Sequence, residues 1–196
     1  MNIIYHERGK VFHLFNDSIS YIFMVLPHGG LGSLYYGKAL HDRAGFEHLF
    51  ERVHRGMSAC VFADCRDYSL DAIRQELPTY GSSDFRRPAL NVLQENGSRI
   101  LDMQYTAHRI VDGKPKLAGL PATYVESDDE AKTLIVEVKD AVTGLRAELL
   151  YTIFAEGGAI ARSVRYINDG KEVLHLQKVM SMSLDLPDTE YDWMEL

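Results

Sequence analysis

The fold is decided by TLIVEVKDAVTGLRAELLYTIFAEGGAIARSVRYI, residues 133–167. Three apolar-rich runs, 133–140, 145–155 and 159–167, carry Val, Ile, Leu and Tyr, residues that suit a pleated and half-buried surface. Thr143-Gly144 separates the first two and Glu156-Gly157-Gly158 the second two, and both are turn chemistry. Nothing between the runs is long enough for a crossover helix. The order run, turn, run therefore predicts antiparallel strands, not a βαβ layout.

Working outward, the pattern repeats. Towards the C-terminus, Asn168-Asp169-Gly170 introduces a further run at 173–186; towards the N-terminus, Asp112-Gly113 and Asn96-Gly97 bound runs at 99–111 and 89–95. Earlier still come 11–15, 19–26 and 34–37, parted by Asn16-Asp17 and by Pro27-His28-Gly29-Gly30. Asn-Gly and Asp-Gly are what tight antiparallel hairpins require. Between 40 and 66 the periodicity fails, over a span too long for a simple connector. No repeat, low-complexity tract or linker divides the chain, so one all-β sandwich domain spanning 1–196 is expected.

Composition narrows the function. A formal charge of −7, with no basic cluster larger than Arg86-Arg87, argues against nucleic acid or an anionic membrane as partner. The apolar stretch 22–27 is far too short to span a bilayer, and residues 1–7 lack the basic start and apolar run of a secretory leader. Cys60 and Cys65, spaced C-x4-C, match neither a redox CxxC nor a zinc set, so reduced thiols in a cytoplasmic protein are expected.

Motif-like features mostly reduce to structure. His28-Gly29-Gly30 resembles an esterase oxyanion loop, but no G-x-S-x-G elbow accompanies it. Gly30-Leu31-Gly32 begins a dinucleotide fingerprint and fails at its third glycine. His41, His48 and His54 lack metal-ligand spacing, and no metal or other cofactor is expected. Tyr105, Tyr124, Tyr151, Tyr166 and Trp193 read as core or core-edge residues with a bonded polar tip.

One segment has its own logic, LDAIRQELPTYGSSDFRRPAL at 70–90. Leu70, Ile73 and Leu77 follow a helical spacing, Asp71 suits a helix start, and Pro78 ends the pattern. After Gly81, Asp84 is expected to fix the loop by accepting backbone N–H groups or pairing with Arg86 or Arg87. Phe85 is expected to be largely buried.

The order Tyr80-Gly81-Ser82-Ser83-Asp84-Phe85-Arg86-Arg87-Pro88-Ala89 resembles the YG-(S/T)-x-DFR-x-PA signature of bacterial α-galactosidases of the melibiase type, glycoside hydrolase family 36. Further blocks agree in order: Asn96-Gly97-Ser98, His108-Arg109-Ile110, Gly113-Lys114-Pro115, Gly119-Leu120-Pro121-Ala122-Thr123-Tyr124-Val125-Glu126, Arg162-Ser163 with Asn168, and Tyr191-Asp192-Trp193. The resemblance implies the N-terminal antiparallel β-supersandwich, galactose-mutarotase-like, without the catalytic (β/α)8 barrel, and truncated at its C-terminal end before the β domain itself is complete. The whole enzyme would remove terminal α-1,6-linked galactose from melibiose- or raffinose-type sugars with retention and without a metal. Its two catalytic aspartates would lie on the barrel, so no catalytic residue is assigned in this chain. The resemblance also implies a homo-oligomer, tetrameric in the family, in which a loop approaches a neighbouring subunit's active site. The matching loop is 46–55, with Glu51 and Arg52 as its substrate-proximal residues. Two other readings stand beside this one: a stand-alone carbohydrate- or protein-binding sandwich, and an aldose-epimerase-like enzyme using His108 or His175.

Overall fold

A computed structural model describes residues 1–52, 62, 64–65, 67–119 and 121–185. The described strands are β1 (Asn2–His6), β2 (Val11–Phe15), β3 (Ile19–Val25), β4 (Leu31–Lys38), β5 (Leu90–Gln94), β6 (Met103–Asp112), β7 (Ala131–Asp140), β8 (Leu145–Phe154), β9 (Ile160–Asn168) and β10 (Leu174–Val179). They form two four-stranded antiparallel meanders, β1-β2-β3-β4 and β6-β7-β8-β9, and a two-stranded pair, β10-β5. The only helical elements among the described residues are single 3-10 turns at Glu47–Leu49, Leu70–Ala72 and Asp128–Glu130. The expected all-β antiparallel sandwich is the observed architecture.

Strand alternation builds the core. Phe12 and Leu14 of β2, Tyr21 and Phe23 of β3, Leu134, Val136 and Val138 of β7, and Leu149, Tyr151 and Ile153 of β8 face one another between the two sheets. The Phe23 and Tyr151 rings stack across the gap at 4.6 Å. Each such side chain withdrawn from water stabilises the fold by about 1.5–3 kcal/mol before ordering costs. The first sheet is also covered on its other face. Val11, Ile22 and Leu34 form a second cluster with Phe46, and Leu40, Leu49 and Phe50 pack against it. This explains the unbroken burial of β2 and β3, which alternation alone does not predict. The second sheet carries charge on its other face, where Arg165 and Arg109 meet Glu148 at 2.6 and 3.3 Å.

Several sequence expectations need correction. β1 is not among the expected runs: NIIYH is a short edge strand, paired from Asn2↔Phe15 to His6↔Val11. The helical spacing at 70–77 yields one 3-10 turn. Beyond it the chain runs extended beside β4, where Ser33 N–H bonds the Arg74 carbonyl at 2.8 Å and Glu76 N–H bonds the Leu31 carbonyl at 3.0 Å. Those inter-strand bonds satisfy the backbone that a longer helix would have satisfied internally. Asp112-Gly113 opens an excursion over 114–130 rather than a tight hairpin, and Asn96-Gly97 and Asn168-Asp169-Gly170 join strands of different sheets. Tyr151 is fully buried and Tyr105 packs at the core edge, as expected, but Tyr124 is exposed. Leu120, Cys60, His54 and the Tyr191-Asp192-Trp193 block lie outside the described residues.

Candidate functional site

Three polar constructions converge on the first sheet and the segment that follows it. The first is the signature turn. Gly81 adopts φ +117, and Ser82 and Ser83 follow at φ 52 and 70. Two consecutive non-glycine residues in the left-handed region each cost about 1 kcal/mol or more. Asp84 offsets that cost. Its carboxylate, 2 % exposed, accepts the Arg86 backbone N–H at 3.1 Å, Arg86 Nε at 2.9 Å, Arg86 Nη2 at 3.0 Å and Gln75 Nε2 at 2.6 Å. Arg86 Nη2 also donates to the Leu70 and Ile73 carbonyls at 3.0 and 3.2 Å, which ties the turn to 70–75. These hydrogen bonds with Asp84 hold the Arg86 guanidinium above its ordinary pKa.

Asp84 therefore fixes the loop as expected, whereas the expected burial of Phe85 fails. Asp84 and Arg86 turn inward together, and Phe85 between them points out, 64 % exposed, with its ring edge-on to Tyr80 at 5.3 Å. A cavity of about 30 Å³ beside this turn, bordered by His28, Gln75, Thr79 and Ser82, has room for a water and none for a sugar.

The second construction is the loop leaving β4. Leu40 N–H donates to Ser20 Oγ at 2.8 Å, Ser20 Oγ lies 2.9 Å from His13 Nε2, and His13 Nδ1 lies 2.8 Å from Asp42 Oδ1. His6 Nε2 reaches the same Asp42 oxygen at 3.0 Å. His13 is fully buried, and burial pushes its imidazole below its ordinary pKa against the opposing pull of Asp42. Burial would raise Asp42, but hydrogen bonds from His13 and His6 hold it below the usual carboxylate range. Phe46 then plugs into the outer face, edge-on to His13 at 5.0 Å, and the 3-10 turn Glu47–Leu49 follows.

That turn delivers Glu51 and Arg52 to the surface, where both are exposed. Arg52 pairs with Asp67 at 3.5 Å and lies over the Phe50 ring at 5.8 Å. Phe46, Leu49 and Phe50, the apolar residues of this loop, are covered by this chain's own sheet. Val53 and Arg55 of the same loop lie outside the described residues.

The third construction is internal. Glu76, 1 % exposed, accepts the Tyr21 hydroxyl at 2.8 Å and the Tyr151 hydroxyl at 3.0 Å, so one carboxyl joins β3 of one sheet to β8 of the other. Burial pushes its pKa up, against the pull of Arg162 and of the two phenols.

Neither the His13–Asp42 nor the Glu76 cluster was legible, because their members lie far apart in sequence. The histidines weighed as acid or base part company: His108 bonds the Tyr105 hydroxyl at 2.7 Å on β6, and His175 is exposed on β10. Among the described residues no group of three His, Cys, Asp or Glu side chains is placed to hold a metal ion.

Comparison with known proteins places this geometry. The glycosyl hydrolase family 36 N-terminal domain profile matches residues 29–196. The α-galactosidase AgaA of Geobacillus stearothermophilus is 43 % identical over the whole chain, which covers 27 % of that relative. The crystal structure of the α-galactosidase from Lactobacillus brevis superposes with a TM-score of 0.90 at 36 % identity, covering 95 % of this chain and 25 % of that one. A variant of AgaA from Geobacillus stearothermophilus, solved in complex with raffinose, superposes with a TM-score of 0.86 at 44 % identity over 91 % of this chain and 25 % of that one. The chain thus spans about a quarter of the length of the relatives it matches.

Proposed function

The chain belongs to the glycosyl hydrolase family 36 N-terminal domains, and from that premise we propose that it is the non-catalytic β-sandwich, residues 1–196, of a cytoplasmic α-galactosidase. The whole enzyme hydrolyses terminal α-1,6-linked galactose in melibiose- or raffinose-type sugars. Retaining glycoside hydrolysis uses two carboxyl groups about 5 Å apart across the scissile bond, and in this reading they belong to the barrel. The sandwich supports a homo-oligomer and presents Glu51 and Arg52 to a neighbouring subunit's sugar pocket.

One observation carries the reading. In a chain similar over 91 % of its length to an α-galactosidase variant solved in complex with raffinose, the loop after β4 is anchored at Asp42 and Phe46 and leaves Glu51 and Arg52 exposed. The anchored part does not need a partner; the exposed acid and guanidinium are suited to one.

The test uses full-length enzyme. Glu51→Gln should lower kcat/KM on raffinose by about tenfold, roughly 1.4 kcal/mol of transition-state stabilisation, with thermal stability unchanged. Unchanged kinetics would reduce Glu51 to an ordinary surface acid. The isolated 1–196 chain should not turn over p-nitrophenyl α-galactoside. Activity that co-purifies with it and disappears on mutating one of its own acids would overturn the assignment.

One observation favours a second reading, a stand-alone carbohydrate- or protein-binding module. A groove of about 400 Å³ lies within the 114–130 excursion, where the exposed Tyr124 ring stands among Lys116, Thr123 and Glu126. Saturable binding of melibiose to the isolated chain, abolished by Tyr124→Ala, would favour that reading over the first.

A further inference from the structure

The line Ser20, His13, Asp42 repeats the order of a hydrolase triad, but its surroundings rule out that use. Ser20 is fully buried, and its Oγ already accepts the Leu40 N–H. A nucleophile needs access to a carbonyl and a free lone pair, and this oxygen lacks the access. The arrangement does something else. Two points of one loop are tied to opposite ends of the same imidazole, the Asp42 carboxylate directly at Nδ1 and the Leu40 N–H through Ser20 Oγ at Nε2.

The proton bookkeeping closes with His13 neutral. Nδ1–H donates to Asp42, Nε2 accepts the Ser20 hydroxyl proton, and Ser20 Oγ accepts the Leu40 N–H. Every buried donor in the line has an acceptor, which is what such a network needs in order to rigidify. The charged and titratable groups facing His13 are Asp42 from the loop and His6 from β1; Phe15 stacks on the ring at 4.4 Å and Phe46 meets it edge-on. The clamp therefore joins β1, β2 and β3 to the root of the segment that ends in Glu51 and Arg52.

We propose that Asp42 and His13 are positioning residues: they set where the Glu51–Arg52 tip stands, so their effect on galactoside hydrolysis is exerted through that tip. The proposal rests on the reading of Glu51 as a sugar contact. Asp42 holds the root from two sides, Phe46 plugs the sheet next, and a single 3-10 turn separates that plug from the tip. Losing the carboxylate leaves the His13 Nδ1–H buried without an acceptor. The root is then better off moving than staying.

The experiment is a double-mutant cycle in full-length enzyme, read by kinetics on raffinose and by hydrogen exchange. Asp42→Ala should accelerate exchange of the 46–52 amides by about tenfold while the 79–86 turn is unchanged, since local opening exposes only the amides it frees. It should lower kcat/KM about as far as Glu51→Gln does, with no further loss in the double variant, because both act through one contact. Asp42→Asn, which keeps an oxygen for both imidazoles, should restore most of the activity. Exchange at 46–52 unchanged in Asp42→Ala would overturn the clamp. Losses that multiply in the double variant would overturn its action through the tip. If Glu51→Gln alone is without effect, the sugar contact fails, and with it the positioning role; the clamp itself is still decided by exchange. Should Asp42→Ala fail to fold, Ser20→Ala removes one hydroxyl from the same line and is judged by the same exchange measurement.

Discussion

Glu76 and Asp84 are buried acids on one connecting segment, and they are held in opposite ways. Asp84 is neutralised locally: its donors are Arg86, the Arg86 backbone and Gln75, all within the segment it organises. Glu76 has no such local cation. Its donors are phenols 55 and 75 residues away, one from each sheet. The first acid shapes a turn and the second joins two layers. Burial of a carboxylate thus reflects two different uses, and the difference between them can be measured.

The largest effect should come from Glu76→Ala. Two buried hydroxyls lose their acceptor, each worth about 1–3 kcal/mol, so equilibrium urea unfolding should show a loss on the order of 3–5 kcal/mol. Asp84→Ala should cost less, about 1–3 kcal/mol, because the half-exposed Arg86 can turn to water. If the order of these two losses is reversed, the local and layer-joining roles have been assigned the wrong way round.

A smaller difference should appear as a function of pH. The folded state raises the Glu76 pKa above its ordinary 4.5, so the folded protein binds that proton more tightly than the unfolded chain does. Its contribution is fully present below 4.5 and is lost as pH rises through the folded value. Glu76→Gln lacks this term. The stability of wild type relative to Glu76→Gln should therefore fall as pH is raised from 4 towards neutrality, and a pH-independent difference would contradict the shift. The smallest effect should be that of Phe85→Ala, within about 0.5 kcal/mol, because the ring is mostly in water. A larger loss would mean that Phe85 packs in a way its exposure denies.

The same contrast explains what could be read from the sequence. Strand runs and turn dipeptides are local, and so is the i to i+2 relation of Asp84 and Arg86; all were legible. Phe85 is not buried as its aromatic character predicts, because alternation in an extended turn sends it outward once its neighbours point in. The helical spacing at 70–77 was real but lost to hydrogen bonds offered by the β4 edge, a tertiary effect that local propensity does not contain. Glu76 with its two tyrosines, and His13 with Asp42, depend on strand pairing and packing across sheets. A single sequence carries no signal for either.

The strand order has a consequence for how the chain assembles. Within both meanders every paired strand follows its partner in the chain, and most are joined by short turns, so the entropy lost in closing them is small. Among the described strands, the β5–β10 ladder alone pairs two that do not follow one another in the chain, with a register shift between Leu176 and Lys178. Its inner partner is secured independently, since Leu90 and Val92 of β5 are fully buried in the main core, while Leu176 and Val179 of β10 are exposed. β10 should therefore be the last strand to dock and the first to peel. Its amides should lose protection under mild denaturant while those of β7 and β8 stay protected until the whole sandwich opens.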